Sequence, residues 1–137
     1  MNDSILDDYR GAFFKECDGL LSTMRASLVA LKDKPDDREE IQRAFRAAHN
    51  IRGVAGIFGF NDIVDCSRAI ESLLDEAVKE KREIHYRSVE LLLSSCDFID
   101  QLLHVEQNNE TRDKALYEAA EQLVGRIKSL LNNPLPV

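Results

Sequence analysis

Helix breakers are scarce in this chain. Three prolines and six glycines occur in 137 residues, and the prolines stand at positions 35, 134 and 136. Long stretches therefore hold nothing that would stop a helix. No alternation of apolar and polar residues marks a strand, and no internal repeat or low-complexity tract is present. No apolar run approaches the roughly 20 residues that a membrane-spanning helix needs. The start, Met1-Asn2-Asp3-Ser4, is polar and acidic, and is not expected to act as a signal peptide. Basic excess is missing too: Lys plus Arg number 18 against 25 Asp plus Glu, a formal net charge of -7. General nucleic-acid binding needs a basic surface to displace counterions, so it is not expected. Cysteine is limited to Cys17, Cys66 and Cys96, an odd number without C-x-x-C spacing. Each falls among the apolar positions of a helix pattern, which predicts buried, reduced thiols in a cytoplasmic protein.

What remains is a helical pattern at single-domain length. Hydrophobic residues make up 44% and charged residues 31%, the balance of a globular chain with a real core. Five helices are expected. The first runs from Ser4 to Lys32, capped by Asp3 or Ser4, with an apolar stripe of Leu6, Tyr9, Phe13, Cys17, Leu20, Met24, Leu28 and Leu31. Lys34-Pro35-Asp36-Asp37 breaks it and offers the next cap. The second, Arg38 to Ile57, buries Ile41, Ala44, Phe45, Ala48, Ile51 and Ala55. Gly59-Phe60-Asn61 is a turn with a cap residue. The third, Asp62 to Lys79, buries Ile63, Cys66, Ile70, Leu73, Leu74 and Ala77. The fourth, His85 to Val105, buries Val89, Leu92, Leu93, Cys96, Ile99 and Leu103. The fifth, Arg112 to Leu131, buries Leu116, Ala120, Leu123, Ile127 and Leu130. Consecutive amphipathic helices with short loops predict an all-α protein, an up-down four-helix bundle with an additional C-terminal helix. The domain is read as residues 1–132, and 133–137 as a short Pro-containing tail or the start of a linker.

The chemistry concentrates in one stretch, Phe45-Arg46-Ala47-Ala48-His49-Asn50-Ile51-Arg52-Gly53-Val54-Ala55-Gly56-Ile57-Phe58-Gly59-Phe60. At ~100° per residue, His49 lies roughly 110° from the centre of the apolar stripe, so its ring should reach solvent from the edge of the core. Gly53 and Gly56, four and seven residues on, share its strip of surface. Each costs the helix about 1 kcal/mol relative to Ala. Close packing against a neighbouring helix would explain them, and so would clearance for another protein to reach the ring. Charge is uneven as well. Residues 41–60 hold Arg43, Arg46 and Arg52 and no acid, leaving -10 for the rest of a chain whose total is -7. Such a patch suits an anionic ligand, although three solvated arginines would look the same. Arg46 and Arg52 flank His49 at i−3 and i+3, where guanidinium groups would pair with phosphoryl oxygens. A histidine nucleophile attacks with one nitrogen while the other donates to an acceptor that fixes the tautomer. Glu71 is the candidate acceptor, on the flank of the third stripe, unless it is an ordinary surface glutamate.

His49-Asn50-Ile51-Arg52-Gly53, followed by Ala55-Gly56 and Phe58-Gly59-Phe60, resembles the motif of the histidine phosphotransfer (HPt) family. Within that family it is most similar to the N-terminal phosphotransfer domains of CheA-type chemotaxis histidine kinases. The likeness extends from Tyr9 and Phe13-Phe14 through Leu73-Leu74-Asp75-Glu76-Ala77 and thins over the last two helices. The resemblance implies that His49 accepts a phosphoryl group and that Glu71 orients its imidazole. Arg52 falls where the family usually has a lysine near the phosphoryl group, and Arg68 where some relatives carry a second histidine. Asn50 replaces a usual serine and Val54 a usual small residue. Arg46, Gly53, Gly56 and Arg68 are then the expected docking residues. The implied partners are an ATP-binding histidine kinase domain, in cis or in trans, and a CheY-like response regulator that takes the phosphoryl group onto an aspartate.

Other readings are weaker. His85 reads as a surface residue at the start of the fourth helix. Asp100 and His104 share a helix face but lack a third metal ligand, so no metal is expected. No glycine-rich phosphate loop follows a strand, so this chain is not expected to bind ATP, and no cofactor is expected. Phe13, Phe14, Phe58 and Phe60 read as bundle core. The alternative function is a non-catalytic helical interaction module that docks through the His49 face. An acid–base enzyme using His49 and Glu71 would need a deep pocket that a convex bundle edge does not offer.

Overall fold

Asp37 caps the second helix of the bundle. Its side chain accepts from the Glu40 N–H at 3.3 Å and its carbonyl from Ile41 N–H at 3.0 Å, the cap read from Lys34-Pro35-Asp36-Asp37. The structure, a computed structural model, describes residues 3–108, 110 and 113–132. Its helices are α1 (Asp3–Asp33), α2 (Arg38–Ile57), α3 (Asn61–Glu80), α4 (Tyr86–Gln107) and α5 (Lys114–Asn132). The residue preceding α1, the start of the fifth helix at Arg112 and the tail 133–137 lie outside the described residues. Asp3 and Ser4, expected as caps, are already helical.

The helices α1 to α4 run up and down and close a ring, α1 on α2, α2 on α3, α3 on α4 and α4 on α1, while α5 lies outside against α3 and α4. The expected architecture is therefore present, with no strand among the described residues. Phe13, Met24, Leu28, Leu31, Ile41, Ile51, Ile63, Ile70, Leu74, Leu92 and Ile99 fill the centre with almost no exposure. The first stripe needs correction. Tyr9 is 60% exposed and Leu20 only half-buried, whereas Phe14 and Leu21 are buried. Because α1 packs against both α2 and α4, its buried face is wider than one line of three- and four-residue steps. Phe45, Leu93, Leu116 and Leu130 sit at the edge of the core rather than inside it.

Both ends of α3 are set by left-handed residues. At the α2–α3 turn, Phe60 N–H donates to Ala55 O at 3.1 Å and Gly59 N–H to Gly56 O at 3.2 Å. Gly59 takes φ +73 there, as this helix ending requires. This ending puts Phe60, not Asn61, at the start of α3, and Asn61 is its first helical residue. The same pattern ends α3, but with Lys81 at φ 51. Arg38 braces that end by donating to the carbonyls of Ala77 and Arg82. The turn is anchored by aromatic rings: Phe13 lies 4.8 Å from Phe58 and 5.3 Å from Phe60, and Arg10 covers Phe14 and Phe60. These rings are packing, as their spacing implied, and they fix α2 and α3 side by side.

Candidate functional site

That tight turn makes α2 and α3 antiparallel neighbours and brings two residues together from separate helices. The Nδ1 of His49 lies 2.8 Å from Glu71 Oε1. Arg52 completes the arrangement, its Nε donating to Glu71 Oε2 at 2.5 Å and its Nη2 to Oε1 at 3.2 Å. The His49 side chain is 53% exposed, Arg52 31% and Glu71 only 15%. The ring thus stands at the rim of the core, as the helical wheel predicts, and its carboxylate partner is tucked beneath it.

Electrostatics fix the proton. Burial pushes the Glu71 carboxyl up, but hydrogen bonds from Arg52 and His49, with their charges, outweigh it and hold it below its ordinary 4.5. An ionised carboxylate accepts only, so the 2.8 Å contact is an Nδ1–H donating to Glu71. Arg52 Nη2 also lies 3.2 Å from Nδ1, but two donors cannot bond, so this contact is mere proximity. The Nε2 lone pair is left without a protein partner among the described residues. The pair is partly exposed, so its worth lies in orientation more than in stability.

The expected docking residues fall around this triad. Gly53 and Gly56 face open space: a Cβ built on either would meet nothing within 4 Å. Close packing within the chain therefore does not explain them. Side chains on a helix lean toward its N-terminus, so a side chain at 53 would lie over the His49 ring. Exposed Ile57, at 81%, continues the same strip. The basic patch is smaller than the sequence window implied. Arg43 pairs with Glu40 and Arg52 with Glu71, both acids from outside residues 41–60. Arg46 and Arg68 are exposed with no acid partner among the described residues. Phe45, expected in the buried stripe, sits at the edge of the core. Its ring also lies 6.2 Å from that of His49, centroid to centroid, at an interplanar angle of 21°. Its position four residues before the histidine was the available signal.

The remaining candidates resolve as structure. Cys17, Cys66 and Cys96 are buried and free, and burial pushes each thiol up to about 12. His85 is half-buried rather than a plain surface residue, and its Nδ1 caps α4 by accepting from Arg87 N–H at 3.1 Å. His104 donates from Nδ1 to Asp100 O at 2.8 Å. Among the described residues no group of three His, Cys, Asp or Glu is placed to hold a metal, and no helix is long and apolar enough to cross a membrane. A groove of about 290 Å³ lies between α3 and α5, lined by Asp62, Asp65, Cys66 and Tyr117 among others, and does not include His49.

One ring nitrogen of His49 is tied to a carboxylate, and the ring stands exposed at the rim of the helical bundle. The chain belongs to the Hpt domain family, whose model matches residues 8–130. Its similarity is to chemotaxis proteins in particular. It is 34% identical over 113 residues to the chemotaxis protein CheA of Salmonella typhimurium, covering 82% of this chain and 17% of that protein. The solution structure of the histidine phosphotransfer domain of CheA superposes with a TM-score of 0.80 at 27% identity, covering 90% of this chain and 92% of that one. The phosphorylated P1 domain of CheA3 from R. sphaeroides, solved in complex with CheY6, shares the fold with a TM-score of 0.72 at 21% identity, covering 88% of this chain and 98% of that one. The chain spans between 11% and 22% of the length of the curated relatives it matches.

Proposed function

We propose that this chain is a cytoplasmic phosphoryl carrier of a chemotaxis-type two-component system. An ATP-binding histidine kinase domain phosphorylates Nε2 of His49, and an aspartate of a CheY-like response regulator removes the phosphoryl group. The observation that carries this reading is the 2.8 Å contact between His49 Nδ1 and ionised Glu71, which leaves the Nε2 lone pair facing outward. The related domain of R. sphaeroides, solved phosphorylated and bound to CheY6, supports the choice of acceptor.

In the first step the Nε2 lone pair forms a bond to the γ-phosphorus. The bond from phosphorus to the bridging oxygen breaks, and that oxygen leaves with ADP. The ring keeps its proton on Nδ1, so positive charge builds on the imidazole, and the Glu71 carboxylate offsets it. In the second step an aspartate oxygen attacks phosphorus, the N–P bond breaks, and the electron pair returns to Nε2. Arg52 holds Glu71 in place and adds positive charge beside the ring. Arg46 and Arg68, without acid partners among the described residues, offer charge to phosphoryl oxygens or to an acidic partner. Gly53 and Gly56 let that partner approach. Nucleotide, metal and accepting aspartate come from the partners, while this chain positions the nucleophile.

The test is incubation with the nucleotide-binding domain of a chemotaxis histidine kinase and labelled ATP. Acid-labile, alkali-stable label on the wild-type chain, absent from His49→Gln and chased off by a receiver domain, is expected. A chain that binds the receiver yet takes no label from any cognate kinase is a docking module, and the proposal fails.

A further inference from the structure

The hydrogen bond to Glu71 fixes one edge of the His49 ring and no more. A ring held only at Nδ1 remains free to tilt about that bond, and tilting swings Nε2 away from the direction of attack. A second aromatic ring lies beside the imidazole, offset and near parallel. Phe45 lies one helical turn before His49, and the lean of helical side chains toward the N-terminus lays the imidazole over it. The two rings are 21° from parallel, with centroids 6.2 Å apart. Phe45 does not follow the imidazole's movements, because it is half-buried and packed against the core. One turn beyond His49, Gly53 has no side chain to lean back, and the space around it is open. The imidazole therefore has an offset, near-parallel aromatic neighbour toward Phe45 and open space toward Gly53.

We propose that Phe45 is a positioning residue for phosphoryl transfer, a shelf whose flat ring sets the plane of the His49 imidazole and so the aim of Nε2. This rests on the proposed function of His49. Phe45 touches no reacting atom, and it acts through the orientation of the nucleophile. Misplacing a reacting atom by about 1 Å can cost as much as a hundredfold in rate, so a modest loss of ring order becomes a measurable loss of transfer.

Two variants separate the shelf from simple core filling. Phe45→Leu keeps an apolar side chain against the core but removes the flat face, and Phe45→Tyr keeps the face. Thermal unfolding confirms that each folds. The first readout is the rate at which His49 takes a phosphoryl group from phosphoramidate, a small donor that needs no protein partner. The second is the ring nitrogen signals in 15N NMR of the unphosphorylated chain, which report the share of the Nδ1–H tautomer. The expected result for Phe45→Leu is phosphorylation about tenfold slower and a mixed tautomer population, with Phe45→Tyr restoring both. Wild-type rate and wild-type tautomer signals in Phe45→Leu would overturn the proposal, and so would a failure of Phe45→Tyr to restore them. If the wild-type chain takes no phosphoryl group, the functional reading fails, while the tautomer comparison still decides the role of the shelf.

Discussion

His49 and Glu71 are 22 residues apart in the chain, on different helices, and their side chains meet at 2.8 Å. The relationship is made by the α2–α3 turn, in which Gly59 in the left-handed region reverses the chain so that the two helices lie flank to flank. A carboxylate beneath Nδ1 leaves Nε2 without a partner among the described residues, and under the proposed function Nε2 is the nucleophile.

Removing the charge of Glu71 should slow transfer while leaving the bundle folded. Glu71→Gln can still accept from Nδ1–H but cannot offset positive charge on the ring, and a loss of about tenfold is expected. Glu71→Ala also frees the tautomer, and about a hundredfold is expected. Rates of label transfer from a kinase domain check both.

The depressed Glu71 carboxyl also predicts how stability responds to acid. A group whose folded pKa lies below its unfolded value contributes stability above the unfolded value and loses it as pH falls through the folded one. Glu71 lies below 4.5, so its contribution is complete at neutral pH and disappears on acidification below 4.5. Glu71→Gln should therefore flatten the decline in stability between neutral pH and that acid range. Chemical denaturation of wild type and variant at several pH values measures it.

Gly53 and Gly56 should prove costly to stability and useful to transfer. Both lie inside α2 and both face open space. Gly53→Ala and Gly56→Ala should each stabilise the chain by about 0.5–1 kcal/mol, read from denaturation midpoints. Gly53→Leu should fold equally well but slow transfer to a receiver domain about tenfold, because the side chain would lie over the ring a partner must reach.

Lys81 makes the opposite case. It occupies the left-handed position at the end of α3, with φ 51, where Gly59 stands at the end of α2. Lys81→Gly should stabilise the chain by about 1 kcal/mol through relief of backbone strain, again by denaturation.

Much of this was legible in the sequence, and the misses share a cause. Three- and four-residue spacing finds which side of a helix is buried, so the stripes of α2 and α3 and the edge position of His49 were readable. It does not find how wide the buried side is. Tyr9 and Leu20 lie less deep than the stripe predicts, and Leu21 is buried beside it, because α1 touches two neighbours. Charge counted within a window misses partners from outside it, so Glu40 and Glu71 reduce a patch that residues 41–60 alone make look stronger. Whether close packing explains Gly53 and Gly56 could be read only from the space around them. Asn61 lost its expected role to a backbone-driven helix ending that left Phe60 in the cap position. His85 gained one, since a histidine nitrogen capping a helix has no periodic signature.

The most direct test is the site of the phosphoryl group on the ring. Phosphorylate the 15N-histidine-labelled chain and record 31P–15N correlations. Phosphorus coupled to Nε2 of His49, with Nδ1 still protonated against Glu71, is the predicted result. Phosphorus on Nδ1, or on any other residue while His49 stays unmodified, would contradict the account.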